Sequence, residues 1–340
     1  MFELMVAPAT PEFPRNSEGD IIELKDGRLL LAWTQFYGGH GDGDGAHLVA
    51  QISADGGRTW GEKYILQENV AACNVMSLSL LRSLSGDILL FYLVKNSWED
   101  LKVMMRRSQD EGKTWSKPIQ VSSKDGYNVM NNARVIQLNS GRLLAPVANS
   151  VRESGEDFAS VFCYISDDDG YTWWKGQGET GFGDKHAQEP GVVERKDGSV
   201  LMIIRTTQDY IYYSESFDGG ETWGKLYPST LVAPLAPATI ARIPQTGDLL
   251  MVWNNNPKGG KATWSERTPL TAAISKDEGT TWEQVKNLED DPESCFAYTS
   301  ITFVRDLIYL TYYHWTKGEI DYFANTSLKL RVLPVEWFYS

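Results

Sequence analysis

The stretch Ser166–Trp173, with the sequence SDDDGYTW, is one of five copies of a single pattern, Ser-x-Asp-x-Gly-x-Thr-Trp. The other copies are Ser53–Trp60 (SADGGRTW), Ser108–Trp115 (SQDEGKTW), Ser216–Trp223 (SFDGGETW) and Ser275–Trp282 (SKDEGTTW). Their tryptophans lie 55, 58, 50 and 59 residues apart. Self-similarity at such a period indicates an array of like structural units.

Each copy has the residue types of a tight hairpin turn. The Ser and Asp side chains can hydrogen-bond nearby backbone amides, and the glycine can adopt a positive φ. The final tryptophan leaves the turn with a large ring to bury. The five copies, called Asp boxes below, are therefore predicted to be structural.

A glycine followed by a short apolar strand precedes each box and recurs once more near the end of the chain. These segments are Gly27–Leu30, Gly86–Leu89, Gly141–Leu144, Gly198–Leu201, Gly247–Leu250 and the degenerate Arg305–Ile308. The sixth unit lacks a box, and Leu328–Val332 (LKLRV) reads as a closing strand. Helical periodicity is almost absent. Six units of about four strands predict an all-β protein, a six-bladed β-propeller with five Asp-box hairpins that forms one domain over residues 1–340.

Composition narrows the classes of partner. Lys and Arg number 32 against 45 acidic residues, for a net charge of −13, which argues against nucleic acid or an anionic membrane as the main partner. The longest apolar run, Ile88–Val94, is much shorter than a membrane span. The three cysteines, Cys73, Cys163 and Cys295, are far apart and are expected to be free thiols. The first residues show no signal peptide, so a cytoplasmic location is expected, or a secreted or periplasmic one if a leader was removed.

The repeat itself predicts which residues line a pocket. In a propeller the first strand of each blade faces a central channel. The position nine residues before each glycine lies near the start of that strand. The residues at that position are Glu18, Ser77, Asn132, Glu189 and Ala238. Tyr298 lies two residues beyond the equivalent point of the sixth unit, and the polar run Asn131–Arg134 also points to the pocket.

The boxes and the repeat resemble the sialidase superfamily, also called the bacterial neuraminidase repeat family, over nearly the whole chain. The resemblance implies boxes on the face away from the active site. It also implies a tyrosine nucleophile, a glutamate that takes its proton, an aspartate acid/base and three arginines that bind the carboxylate of sialic acid. A neutral tyrosine suits an anomeric carbon that bears a carboxylate, because a carboxylate nucleophile would be repelled.

Four residues match family segments in order. Glu189, in QEPGVVE, matches the glutamate, and Arg205, sixteen residues later, matches the second arginine. Arg267, in RTPLT before the fifth box, matches the third arginine, and Tyr298, followed by Thr-Ser, matches the nucleophile. Each of these residues also has an interpretation without a catalytic role. Tyr298 could fill a half-buried strand, Glu189 could be a solvated carboxylate at a strand end, and each arginine could form an ion pair within a blade.

The first unit departs from the family. Arg15 precedes Gly27 by a couple of residues more than the family's first arginine precedes its glycine. Glu18 occupies a position at which the family has no acidic residue. The acid/base is expected in the glycine-rich segment GGHGDGDG (38–45), as Asp42 or Asp44, with Asp42 nearer to family spacing. A Ca²⁺ loop is the rival interpretation of these two aspartates. His40 and His186 are candidate substrate contacts or surface histidines.

The predicted function is that of an exo-α-sialidase-like, retaining glycoside hydrolase acting on sialic acid or a related acidic sugar, without a cofactor or metal. Its catalytic residues are expected to be Tyr298, Glu189 and Asp42 or Asp44. Its substrate-binding residues are expected to be Arg15, Arg205, Arg267, Glu18 and Asn132. The partner would be a glycan or glycoconjugate. One alternative is a glycosidase or lyase using Glu18 and Glu189 as a carboxylate pair on another sugar, and the other is a carbohydrate-binding propeller that is not an enzyme.

Overall fold

The computed structural model describes residues 1–150, 160–183, 186–256, 266–318 and 323–340. Within these ranges the chain is built almost entirely of β-strands, with a short 3₁₀ helix, Val335–Phe338, near the end. None of the helices in the described ranges has the length and apolar character needed to cross a membrane. The prediction of an all-β chain is confirmed.

The strands of the described residues form five sheets, in which nearly all neighbouring strands are antiparallel. The first sheet holds β2 (Arg15–Glu23), β3 (Leu29–Tyr37), β4 (Gly45–Ser53) and β5 (Tyr64–Gln67). The second holds β6 (Asn74–Arg82), β7 (Ile88–Lys95), β8 (Leu101–Ser108), β9 (Ile119–Gln120), β10 (Tyr127–Val129), β11 (Ile136–Gln137), β12 (Leu143–Ser150), β13 (Ser160–Ser166) and β14 (Trp174–Lys175). The third and fourth hold β15 (Ala187–Glu194), β16 (Val200–Thr206), β17 (Tyr210–Ser216), β18 (Tyr227–Val232), β19 (Thr239–Arg242), β20 (Leu249–Asn254), β21 (Leu270–Ser275) and β22 (Glu283–Glu289). The fifth holds β23 (Ser294–Val304), β24 (Leu307–Thr316), β25 (Ser327–Pro334) and β1 (Phe2–Ala7).

The second sheet has nine strands, whereas each of the others has four. Its two halves, β6–β9 and β10–β14, are joined by one parallel pair, Tyr127 with Leu101. Each half contains the glycine, apolar strand and Asp box of one sequence unit. The described strands therefore form five sheets where six separate ones were expected, because this single pair links two successive units.

The two ends of the chain meet in the fifth sheet. β25 contains the predicted closing strand Leu328–Val332, which is confirmed, and it pairs on one edge with β24 and on the other with β1. No repeat or motif in the sequence predicted that β1 would supply this outermost strand. Pairing the N-terminal strand with β25 covers a sheet edge that would otherwise expose unpaired backbone groups.

The Asp boxes form the turns that their residue types predicted. In the first box, Ser53 Oγ accepts the Gly57 amide at 2.8 Å, and Asp55 Oδ1 accepts the Thr59 amide at 2.9 Å. The same pair of contacts recurs in the other four boxes. Because these Ser and Asp hydrogen bonds lie within the turn itself, the boxes have a structural role.

The boxes lie at the end of each sheet opposite to the starts of the first strands. In the first sheet, Arg15 at the start of β2 pairs with Phe36, and Phe36 pairs with Ala46 at the start of β4. Ser53, which opens the box, pairs with Leu29 at the other end of β3. Residues at the strand starts and residues of the boxes are thus separated by the length of the strands.

Box glycines also pack one unit against the next. Gly220, in the fourth box, has φ +87°, and a Cβ there would lie 2.8 Å from Leu144 of β12 in the preceding unit. Gly57, in the first box, lies against Tyr309 and Leu330 of the last sheet. The first and last units are therefore neighbours.

We expect the substitution Trp173→Ala to lower the free energy of unfolding by about 3 kcal/mol, because it leaves a cavity between units. Trp173 packs edge-on against buried Phe91, with ring centroids 5.6 Å apart, and donates to the Gly170 carbonyl at 3.0 Å. Phe217→Ala is a matched control, since Phe217 sits in another box with 79% of its surface exposed. Urea unfolding measures both variants. An unchanged midpoint for Trp173→Ala would contradict the packing role.

Candidate active site

A cavity of about 400 Å³ opens among the starts of the first strands, at the end of the sheets away from the boxes. One part of its wall is polar and ionisable, and the other is apolar. The polar part contains Glu18, Asp42, Ser77, Asn131, His186, Gln188, Glu189, Arg205 and Tyr298. Most of the predicted site residues therefore lie in or directly behind one cavity.

Four of the polar residues that line the cavity share one unusual backbone conformation. Glu18, Ser77, Glu189 and Tyr298 have φ values of 54°, 53°, 41° and 58°, in the left-handed region that side-chain-bearing residues rarely adopt. At each of them the pairing of the first strand with the second shifts register, as in a β-bulge. Non-glycine residues held in this conformation cluster at functional sites. The repeat thus places four side chains in one cavity by four equivalent bulges.

Glu189 connects Tyr298 to Arg205. The Tyr298 hydroxyl donates to Glu189 Oε1 at 3.3 Å, and Arg205 Nη1 donates to Glu189 Oε2 at 2.6 Å. Arg205 lies at the end of β16 and is almost fully buried. Burial, and then the charge of Glu189, raises the pKa of Tyr298 well above its usual range, against the opposing effect of Arg267 and Arg205. The phenol is therefore neutral, and a carboxylate is in place to accept its proton.

Arg267 lies behind Tyr298 and is not among the residues that line the described cavity. Its guanidinium carbon is 5.4 Å from the centre of the Tyr298 ring, and Nη1 donates to the Tyr313 hydroxyl at 3.0 Å. Nη2 donates to the Leu235 carbonyl at 3.3 Å. Its positive charge acts on the Tyr298 hydroxyl and on Asp42.

Arg15 is buried between two aromatic rings and is held by acidic residues. Its guanidinium carbon lies 4.2 Å from the centre of the Phe36 ring and 3.9 Å from that of Phe323. Nη1 donates to Asp42 Oδ1 at 2.6 Å, and Nη2 donates to Glu18 Oε1 at 3.3 Å. Burial favours the neutral form of Arg15, but the charges of Asp42 and Glu18 outweigh it and raise the pKa of Arg15.

Glu18 lines the cavity with a side chain that is only 2% exposed. Burial raises the pKa of Glu18 to about 7, Arg15 opposes the shift, and the charges of Asp42 and Glu189 add to it. Glu18 is paired with Arg15, whose Nη2 lies 3.3 Å from Glu18 Oε1. This carboxyl group changes charge near neutral pH, at the floor of the cavity.

The two aspartates of the glycine-rich loop have different surroundings. Asp42 lines the cavity, and its side chain is 39% exposed. Burial favours protonated Asp42, but the neighbouring Arg15 outweighs it and lowers the pKa of Asp42. Asp44 is not among the residues that line the described cavity, and its Oδ2 accepts the Gly41 amide at 2.8 Å. Asp44 therefore shapes the loop, whereas Asp42 faces the cavity.

The third unit differs from the expectation by one residue. The positive φ belongs to Ala133, with φ 53°, and Asn131 rather than Asn132 lines the cavity. Asn132 is fully buried and donates to the Gly19 carbonyl at 2.8 Å and to the Tyr298 carbonyl at 3.0 Å. Counting back from the glycine fails here, because the strands of this unit are short and interrupted. Asn132 holds the backbone of Tyr298 and does not face the cavity.

The apolar part of the cavity wall was not predicted. It contains Met76, Leu93, Trp98, Leu101, Tyr127, Val129, Met130 and Ala148. Trp98 and Tyr127 stack with ring centroids 5.8 Å apart, and Lys95 Nζ lies 3.2 Å from the centre of the Trp98 ring. The available sequence signal was Trp98, a lone aromatic in the polar segment Asn96–Asp100 that joins two buried strands.

The sequence matches the family model of the BNR repeat-like domain over residues 27–315. The chain belongs to this family. It is also similar to the sialidase of Clostridium perfringens, with 27% identity in an alignment that covers 59% of this chain and 58% of that protein. The sialidase of Micromonospora viridifaciens is 25% identical, in an alignment that covers 88% of this chain and 48% of that protein. The chain thus spans about half the length of these curated relatives.

Solved structures of the same fold extend the similarity to nearly the whole BNR repeat-like chain. A protein of unknown function from Dyadobacter fermentans has a TM-score of 0.78 at 20% identity, covering 98% of this chain and 97% of that one. A leech intramolecular trans-sialidase has a TM-score of 0.77 at 16% identity, with 99% and 70% covered. Trypanosoma rangeli sialidase, solved as a covalent intermediate with 2,3-difluorosialic acid, has a TM-score of 0.76 at 18% identity, with 99% and 59% covered. These similarities show that the chain has the same fold as these three proteins.

Proposed function

We propose that this chain is a retaining glycoside hydrolase of the sialidase type, acting on a terminal sialic acid or a related acidic sugar. The contact that carries the proposal joins Tyr298 to Glu189 at 3.3 Å, with Arg205 on the second carboxylate oxygen at 2.6 Å. A buried tyrosine that hydrogen-bonds a carboxylate in a cavity has the parts of an activated nucleophile. Several sialidases among its relatives and structural neighbours support the choice.

In the proposed reaction, Tyr298 Oη attacks the anomeric carbon as its proton passes to Glu189. The raised pKa of Tyr298 means that free phenolate is rare at neutral pH, so attack and proton transfer are coupled. The bond from the anomeric carbon to the glycosidic oxygen breaks, and Asp42 gives that oxygen a proton. Water, deprotonated by Asp42, then attacks the anomeric carbon. The bond from that carbon to Tyr298 Oη breaks, and Glu189 returns the proton to Tyr298.

Arg205 and Arg267 would supply positive charge for the substrate carboxylate. Arg205 lines the cavity and can hydrogen-bond that carboxylate, whereas Arg267 lies behind Tyr298 and acts on the site through its charge. Both are almost fully buried, where charges interact more strongly than in water. Asp42 can act as an acid only if a bound sugar weakens its contact with Arg15, because that contact keeps Asp42 ionised. The apolar wall at Trp98 and Tyr127 gives the sugar or its aglycone a surface for stacking.

The same proposal extends to the architecture. We propose that residues 1–340 form one six-bladed β-propeller, in which the nine-stranded sheet provides two blades. The contact of Gly57 with Tyr309 and Leu330 supports a ring that closes between the first and last units. The cavity then occupies the central channel, where loops of several blades meet.

A second candidate is a glycosidase that uses Glu18 and Glu189 as its carboxylate pair on another sugar. The observation in its favour is that the two glutamates occupy equivalent bulges and both face the cavity. It differs from the leading proposal in the substrate that it would accept, since neither glutamate requires an anionic sugar.

The test is a screen of aryl glycosides that includes the α-sialoside, followed by NMR detection of the first sugar anomer released. We expect hydrolysis of the sialoside or another acidic α-glycoside, with the α-anomer formed first. Turnover of neutral glycosides alone would favour the glutamate pair. Inversion at the anomeric carbon would contradict the tyrosine mechanism. Binding without turnover of any sugar would favour a carbohydrate-binding protein.

A further inference from the structure

The hydrogen-bonding capacity of Arg15 is largely used within the protein. Its guanidinium has five N–H donors. Nε donates to Ser17 Oγ at 3.2 Å, and Nη1 donates to the His40 carbonyl at 3.2 Å as well as to Asp42. Nη2 donates to Glu18, and the rings of Phe36 and Phe323 cover the two faces of the group. Four of the five donors thus have protein partners, in a side chain that is 1% exposed.

Glu18 and Arg15 form a buried ion pair next to the cavity. Its Oε1 accepts Arg15 Nη2, and its Oε2 accepts the Ser17 hydroxyl at 3.3 Å. Because Asp42 holds the other end of Arg15 at 2.6 Å, two carboxyl groups already face one guanidinium. A ligand carboxylate at this end would gain little from Arg15 and would be repelled by Glu18, since like charges repel strongly at short range in a buried site.

We infer that Glu18 determines the substrate specificity of this cavity: it excludes an anionic group from the Arg15 end and favours a neutral hydroxyl of the sugar there. Glu18 Oε1 and Oε2 can both accept a hydrogen bond from such a hydroxyl. A ligand carboxylate is then confined to the Arg205 side of the cavity. The inference rests on the proposed function only in requiring that the cavity binds a sugar.

The charge state of Glu18 depends on four neighbours. Burial of Glu18 opposes the ionised form, as do Asp42 and Glu189, whereas Arg15 and the hydrogen bond from the Ser17 hydroxyl favour it. Glu18 also acts on the Tyr298 hydroxyl, which is neutral. With the pKa of Glu18 at about 7, protonation below that pH removes its repulsion of an anionic ligand, and ionisation above it restores the repulsion.

The experiment measures binding of two matched probes by calorimetry: the 2,3-unsaturated analogue of sialic acid and its C1 carboxamide. We expect Glu18→Gln to tighten binding of the carboxylate at pH 8 by about tenfold or more, the ratio that corresponds to one pKa unit. The carboxamide should change by less than about threefold. In the wild type, affinity for the carboxylate should fall from pH 6 to pH 8, and in Glu18→Gln this fall should be largely lost.

Glu111→Gln is the matched control, because Glu111 pairs with Arg82 at 2.7 Å and does not line the described cavity. It removes the same charge and should bind both probes as the wild type does. If Glu18→Gln does not fold, Glu18→Ser serves instead, since Ser77 occupies the equivalent bulge of the second unit.

Several results would overturn the inference. They are unchanged or weaker binding of the carboxylate to the Glu18 variant, equal gains for both probes, or no binding of either probe to either protein. Failure of the proposed reaction would give a different result. The Glu18 variant would still bind the carboxylate probe more tightly than the wild type, but no glycoside would be hydrolysed.

Discussion

Replacing Tyr298 by Phe is expected to lower kcat for the best glycoside by a factor on the order of 10³ to 10⁶, since it removes the proposed nucleophile. The ring remains, with its packing against Tyr313 at a centroid distance of 5.7 Å and its place over Arg267. KM should change much less than kcat, because only the hydroxyl that hydrogen-bonds Glu189 is lost.

Tyr309→Phe is the control for this prediction. Tyr309 is also a tyrosine in a long strand of the last sheet, but its hydroxyl donates to the Gly56 carbonyl in an Asp box, at 3.0 Å. This variant should keep wild-type kcat. Incubation with a 2,3-difluoro sugar should label the peptide that contains Tyr298 in the wild type and leave Tyr298→Phe unlabelled. Label on another residue, or substantial activity of Tyr298→Phe, would refute the tyrosine mechanism.

The second large effect is expected for Asp42→Ala, and it should depend on the leaving group. For a glycoside whose leaving group needs a proton, kcat/KM should fall by about 10² to 10⁴. For a dinitrophenyl glycoside, whose phenolate leaves unaided, formation of the covalent intermediate should remain within about tenfold of the wild type. The reason is that Asp42 faces the cavity and is the proposed proton donor.

Asp44→Ala tests the alternative within the same loop. Its carboxylate accepts the Gly41 amide and is not among the residues lining the described cavity. Its loss should lower kcat/KM similarly for both leaving groups, through the shape of the loop. Pre-steady-state measurement of phenol release separates the two steps. A dependence on the leaving group seen in Asp44→Ala and absent from Asp42→Ala would exchange their proposed roles.

The two predictions bear on different parts of the site. Tyr298 and Glu189 meet on bulges of two first strands, so their geometry depends on the sheets. Asp42 lies on a loop that contacts the sheet through Arg15. The contact between Asp42 and Arg15 must weaken before Asp42 can be protonated, because it lowers the pKa of Asp42. The glycines around Asp42 suit a loop that rearranges when the sugar binds.

The sequence by itself determined the repeated turn and the order of the strands. Ser, Asp, Gly and Trp at fixed spacing act within one turn, so Ser53 and Asp55 form their hydrogen bonds wherever the turn is placed. It also predicted that Glu18, Ser77, Glu189 and Tyr298 share one cavity, because equivalent positions of a repeat have equivalent surroundings. That reasoning failed at Asn132, where the first strand of the unit is interrupted and the positive φ falls on Ala133. It also failed at Ala238, which is not among the residues that line the described cavity.

Only the tertiary structure decided how the charges are paired. Arg15 lies within a few residues of Glu18, but its other carboxylate, on Asp42, and its covering ring, on Phe323, come from distant parts of the chain. Two other features also join segments that are distant in the sequence. They are the pairing of β1 with β25 and the stacking of Trp98 on Tyr127, and no pattern within either segment predicts its partner. Hydrogen bonds within a turn depend on neighbours in the sequence. The charge state of Glu18 and Asp42 depends instead on burial and on charges that reach them through space.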